Sequence, residues 1–192
     1  MMVRIIVILL ALSVALSSVA AVKTKTAPFG SGIMANGKNG PQEWQFRDVL
    51  RFVTDNRLDI RVKQSNFYVY IAIIDLDTTH TGIDLYIENP DSSRKLLHIS
   101  TACGEKDFKD GQWSDFRWGE NTLWSGNVVQ SIVSDGKTEF LAPDIFEFQI
   151  SKQLITGKEF KMMIDLKRPG KTGPADASPD DSENWLVAKL RI

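Results

Sequence analysis

From residue 49 onward the apolar residues of this chain recur at every second position, and turn residues interrupt the pattern at short intervals. A period of two belongs to β-strands, whose successive side chains point to opposite faces, so this alternation excludes a helical architecture. In 58–62, Leu58, Ile60 and Val62 alternate with Asp59 and Arg61. In 83–88, Ile83, Leu85 and Ile87 face one way while Asp84, Tyr86 and Glu88 face the other. The pattern predicts strands over 49–53, 58–62, 67–76, 83–88, 95–101, 127–133, within 140–150, over 160–166 and over 185–192, with one short helical turn at 151–154. Residues 67–76 are apolar on both faces, as a central strand requires. No amphipathic segment of helix length and no repeat interrupts the series. The expected fold is all-β: an antiparallel, jelly-roll-like β-sandwich of roughly eight to ten strands, forming a single domain over 33–192.

The N-terminus sets the compartment. Arg4 supplies a positive charge, 5–15 is an almost unbroken apolar run, and Ser18, Ala20 and Ala21 are small residues of the kind signal peptidase accepts. Residues 1–21 are therefore expected to form a signal peptide, placing the protein in a secreted or periplasmic location. The run is too short for a stable membrane span, so none is expected after signal removal; a retained anchor is the alternative. Residues 22–32, rich in Lys, Thr, Gly and Ala, read as a flexible lead-in. With 23 Lys+Arg against 24 Asp+Glu, the formal net charge of -1 supplies no electrostatic case for nucleic acid. Cys103 is alone in an exported chain; it cannot form an internal disulfide and is expected to pack as a small hydrophobe.

Several motifs recur in a familiar order: Asn36-Gly37-Lys38 with Glu43-Trp44, the 67–72 strand, the 83–87 strand, Leu97-His98-Ile99-Ser100, a Trp-rich stretch, and Phe146-Glu147-Phe148-Gln149-Ile150-Ser151. In this order the chain resembles the DOMON-like superfamily, and within it the family 9 carbohydrate-binding module, over about residues 33–192. The resemblance implies a β-sandwich and a carbohydrate ligand held by paired aromatic side chains. It also admits haem binding or a role as an interaction module. This chain has Asn36 where the family pattern has Asp, and the family's aromatic pair does not map onto two particular tryptophans here.

Residues 107–126 read as a long aromatic loop, and they carry the candidate ligand site. Trp113, Phe116, Trp118 and Trp124 offer flat apolar faces for a pyranose, and Arg117, Glu120 and Asn121 offer planar polar groups for adjacent hydroxyls. The competing reading is that two or more of these tryptophans fill the core. Asp75 and Asp77, with Asp84 and Glu88 on the next strand, are a candidate Ca²⁺ set, and Asp176, Asp180, Asp181 and Glu183 form a second acidic group. Haem would need an axial pair such as His98 with Met162 or Met163. No serine-hydrolase, zinc-protease or phosphate-loop motif is present, and His98 and Ser100, two apart on a strand, are expected to project in parallel without exchanging a proton. The expected function is non-catalytic carbohydrate recognition by aromatic stacking. The alternatives are a cell-envelope interaction module without a sugar site and a small secreted glycan hydrolase.

Overall fold

The computed structural model describes residues 25–30, 32–33, 35–37, 43–45, 48–75, 80–119, 123–141, 143–167 and 170–191 of the 192. The predicted signal peptide lies outside them. The regular elements among the described residues are all strands: β1 (Lys25–Thr26), β2 (Leu50–Val53), β3 (Leu58–Gln64), β4 (Tyr68–Asp75), β5 (Gly82–Glu88), β6 (Arg94–Ile99), β7 (Cys103–Lys109) and β8 (Gln112–Trp113). There follow β9 (Arg117–Trp118), β10 (Trp124–Gly126), β11 (Gln130–Ser134), β12 (Lys137–Leu141), β13 (Phe146–Ser151), β14 (Glu159–Lys167), β15 (Lys171–Gly173) and β16 (Leu186–Lys189). Sixteen exceeds eight to ten because of two- and three-residue segments too short to show a period in sequence, and because β12 forms a hairpin with β11 as a strand separate from β13. The stretch 151–154, expected to be a helical turn, makes turns without a helix.

β11 and β12 pair with each other, and the other fourteen strands form two layers. One is a nine-stranded sheet in the order β1-β16-β14-β5-β6-β7-β8, with β15 on β14 and β9 on β7; the other runs β10-β13-β4-β3-β2. All pairs are antiparallel except β1 with β16. The alternation decides what lies between the layers. Ile60, Val62, Ile71, Ile73, Phe148 and Ile150 from one sheet meet Ile83, Leu85, Leu97, Ile99, Met162 and Ile164 from the other in one buried cluster. Each such side chain contributes about 1.5–3 kcal/mol on leaving water, so this layer holds the fold together.

The outer faces are covered too, which explains the two-sided apolar character of β4. Outside the five-stranded sheet, Trp44 packs on Tyr70, Ala72 and Ile145. There Glu147 is fully buried, and its carboxylate accepts hydrogen bonds from Trp44 Nε1 at 2.8 Å and from the backbone N–H groups of Asn36 and Gly37 at 3.0 Å each. The motifs that were separate in sequence therefore converge on one side chain. Outside the nine-stranded sheet, Trp185 packs on Tyr86, Leu96, Met163 and Ala177.

The lead-in expectation needs correction. Lys25 and Thr26 pair with β16 in the nine-stranded sheet, Ala27 is fully buried, and Phe29 bridges Gln64 of the other sheet. Gln64 also donates from Nε2 to the Ala27 carbonyl at 2.6 Å. Residues 25–30 thus clasp both sheets along one edge, and backbone pairing holds them where side-chain pattern gave no sign.

Candidate functional site

The candidate site is built on the outer face of the nine-stranded sheet, where β6, β7 and β9 lie side by side. Trp118 on β9 stands opposite Gly104 on β7, and a Cβ at residue 104 would lie 2.8 Å from the indole Cε3, so the glycine is what lets the ring lie against the strand. Phe116 stacks on Trp118 with ring centres 4.8 Å apart and planes 18° from parallel. His98 on β6 meets both edge-on, at 5.5 Å from Trp118 and 5.7 Å from Phe116. The Lys106 ammonium sits 4.7 Å over the Phe116 ring. Phe116 is contacted by both Trp118 and Lys106, whereas Trp118 remains 60% exposed. Of the five tryptophans it is the exposed one.

The other aromatic candidates take different roles. Trp113 is half-buried against Tyr86 and Phe108. Trp124 is buried 6.2 Å from Phe148 of the core, and its Nε1 donates to Glu105 Oε2 at 2.8 Å. Neither presents a free face, because each ring is taken up in packing. Arg117 follows the strand alternation to the side opposite Trp118 and reaches Glu105 and Asp107, both at 2.6 Å. Burial pushes the Glu105 and Asp107 carboxyls up, but hydrogen bonds from Arg117, with Trp124 on Glu105 and Lys95 on Asp107, bring both below their usual range. Glu120 and Asn121 lie outside the described residues.

Beside this edge is a cavity of about 440 Å³ lined by Ala102, Cys103, Gly119, Trp124, Ser125, Gly126 and Val128. Cys103 is half-buried, and burial pushes its thiol pKa up, which suits packing and not nucleophilic attack.

His98 departs from the sequence expectation. Its Nδ1 lies 2.6 Å from Asp84 Oδ1 and its Nε2 lies 2.9 Å from Ser100 Oγ. Side chains two apart on a strand share a face, and leaning along the strand lets these two meet. The shared face is as expected, and the parallel projection is corrected: the two side chains come within hydrogen-bond distance.

The proposed calcium carboxylates do not converge. Asp75 ends β4 in the other sheet, bound to His80 and, at 2.8 Å, to Lys171. Asp84 and Glu88 share one face of β5 but are four residues, about 13 Å, apart. Asp84 holds Lys167 at 2.9 Å, and Glu88 holds Arg94 at 2.5 Å and Lys161 at 3.0 Å. Asp77 lies outside the described residues. Among the described residues no three His, Cys, Asp or Glu side chains come together as an ion would require, the 176–183 loop included. Met162 faces the inner core and Met163 the outer cluster, both remote in role from a His98 already engaged on both nitrogens.

No protein-family model matches this chain, and no curated protein matches it. Among solved structures, the chain is similar to a family 9 carbohydrate-binding module from Caldicellulosiruptor kristjanssonii in complex with cellotriose. The two are 9% identical, with a TM-score of 0.49, over 88% of this chain and 94% of that chain. It is also similar to a "putative carbohydrate-binding protein" from Bacteroides uniformis ATCC 8492, 7% identical with a TM-score of 0.44, over 74% of this chain and 85% of that chain.

Proposed function

We propose that this is an exported carbohydrate-binding domain that holds a glycan against the exposed part of the Trp118 indole. The observation that carries the reading is an indole 60% exposed on a rigid sheet and backed by Phe116 at 4.8 Å. A large apolar ring is kept in water only at a cost, and the C–H face of a pyranose matches its shape and chemistry. Ser100 Oγ, Lys106 Nζ and exposed Asp115 supply hydroxyl partners around it. The stacking surface supports recognition of a sugar ring.

Affinity gels containing a panel of soluble polysaccharides test the reading. At least one should retard the purified protein, and Trp118→Ala should weaken that retardation by roughly ten- to a hundredfold, the usual scale for a central aromatic contact. Equal retardation of wild type and variant in every gel, or none at all, would contradict it.

A second reading, an interaction module, is favoured by the β11–β12 hairpin. All ten of its residues are exposed, with Ile132, Val133, Phe140 and Leu141 among them. On that reading association is unaffected by Trp118→Ala.

A further inference from the structure

We infer that Ser100, His98 and Asp84 form a nucleophile, base and orienting carboxylate able to transfer the acyl group of a carboxylic ester. Such a unit is recognised by geometry and not by order along the chain. Here Ser100 Oγ lies 2.9 Å from His98 Nε2, and His98 Nδ1 lies 2.6 Å from Asp84 Oδ1. An ionised carboxylate only accepts, so Nδ1 carries the ring proton and Nε2 is left to accept from the serine hydroxyl. The competing hydroxyl contact, to the Ala102 carbonyl, is longer at 3.4 Å. Lys167 binds the second oxygen of Asp84 at 2.9 Å, which fixes the carboxylate while weakening its support of a charged imidazole. Asp84 is buried and Ser100 is partly exposed, so the unit opens toward solvent at its nucleophilic end. The Ala102 N–H donates to Ser100 Oγ at 3.5 Å.

In the step, Ser100 Oγ bonds to the ester carbonyl carbon as its proton passes to His98 Nε2. The tetrahedral adduct collapses, the C–O bond to the alcohol breaks, and the alcohol leaves with that proton. Water then attacks the acyl-serine, giving its proton to His98, and the carboxylic acid departs with Ser100 restored. With Trp118 5.5 Å from the His98 ring, a glycan held on the indole would offer the alcohol half of the ester as one of its hydroxyls. That assignment of the alcohol rests on the glycan reading above; the nucleophile does not.

The test uses the mature protein with a fluorophosphonate probe and with p-nitrophenyl acetate, alongside the polysaccharide gels. Mass spectrometry should place the probe on Ser100. Ser100→Ala should abolish labelling, and His98→Ala should slow it on the order of a hundredfold. Thermal melts establish that each variant is folded, and Ser100→Gly, which also lacks the hydroxyl, serves if Ser100→Ala is not. Asp84 acts through His98, so it is a positioning residue, and its readout is the pH profile of labelling. The wild-type labelling rate should depend on pH, and Asp84→Asn should change that profile. The other charged groups facing this pair are Lys167 and Asp165 on β14 and Lys106 on β7; Lys167→Gln should leave Ser100 labelled. Labelling without gel retention would leave the nucleophile standing and remove the sugar. No probe on Ser100, with p-nitrophenolate release equal to that of Ser100→Ala, would overturn the inference.

Discussion

Glu147 is an acidic side chain with no exposure, and three N–H donors converge on it. Burial pushes its pKa up, the bonds from Trp44, Gly37 and Asn36 pull against that, and the charge of Glu43 adds to the rise. The donors matter more to folding than the charge does, because a buried N–H without an acceptor is costly. Glu147→Ala is expected to destabilise the protein by roughly 3 kcal/mol or more, lowering its melting temperature by about 5–10 °C in calorimetry. An unchanged melting temperature would mean that the donors find other acceptors. The sequence showed Trp44 and Glu147 but not their meeting, since Asn36 and Gly37 contribute backbone groups that any residue possesses. Gly37 is constrained in its own right: its φ is +73°, and a Cβ there would come within 2.8 Å of Asn127 Nδ2. Trp118 and Trp124 make the same point. Both are tryptophans in one polar stretch, and only the packing of neighbouring strands decides which ring is covered.

Among the elements, β3 and β5 were legible because each alternates cleanly between core and outer face. β7 was not. Its inward positions are Cys103, which packs on the core, and Glu105 and Asp107, which meet Arg117 at the sheet's edge, so the strand shows no apolar alternation. Its outward Gly104 makes the seat for Trp118. Gly104→Ala should push the indole away from β7 while the pairing of β6, β7 and β9 persists. The expected result is weakened glycan retention, by roughly tenfold, with little change in melting temperature. Full retention would show that the indole's position is not set by this strand. The approach of His98 and Ser100 was illegible for a related reason: alternation says which face a side chain takes but not which way it leans along the strand.

At the scale of the whole molecule, the sandwich was the most readable feature, since a period of two with frequent turns leaves few alternatives. The start of the domain was not readable, because Lys25 and Thr26 are polar and join by backbone pairing. A chain beginning at residue 33 should lose the clasp between the sheets, with Ala27 no longer covering the core and Lys189 and Gln64 without their backbone partners. Its stability should fall by about 2–4 kcal/mol in urea titrations, and an unchanged midpoint would count against the clasp.

The account depends most on Trp118 being the surface that meets the ligand. Iodide quenching of tryptophan fluorescence, measured with and without a polysaccharide that retards the protein, reads this indole above the four more buried ones. The account predicts that the polysaccharide shields a quenchable fraction that is missing from Trp118→Ala. Quenching that stays the same while the polysaccharide is bound would contradict it.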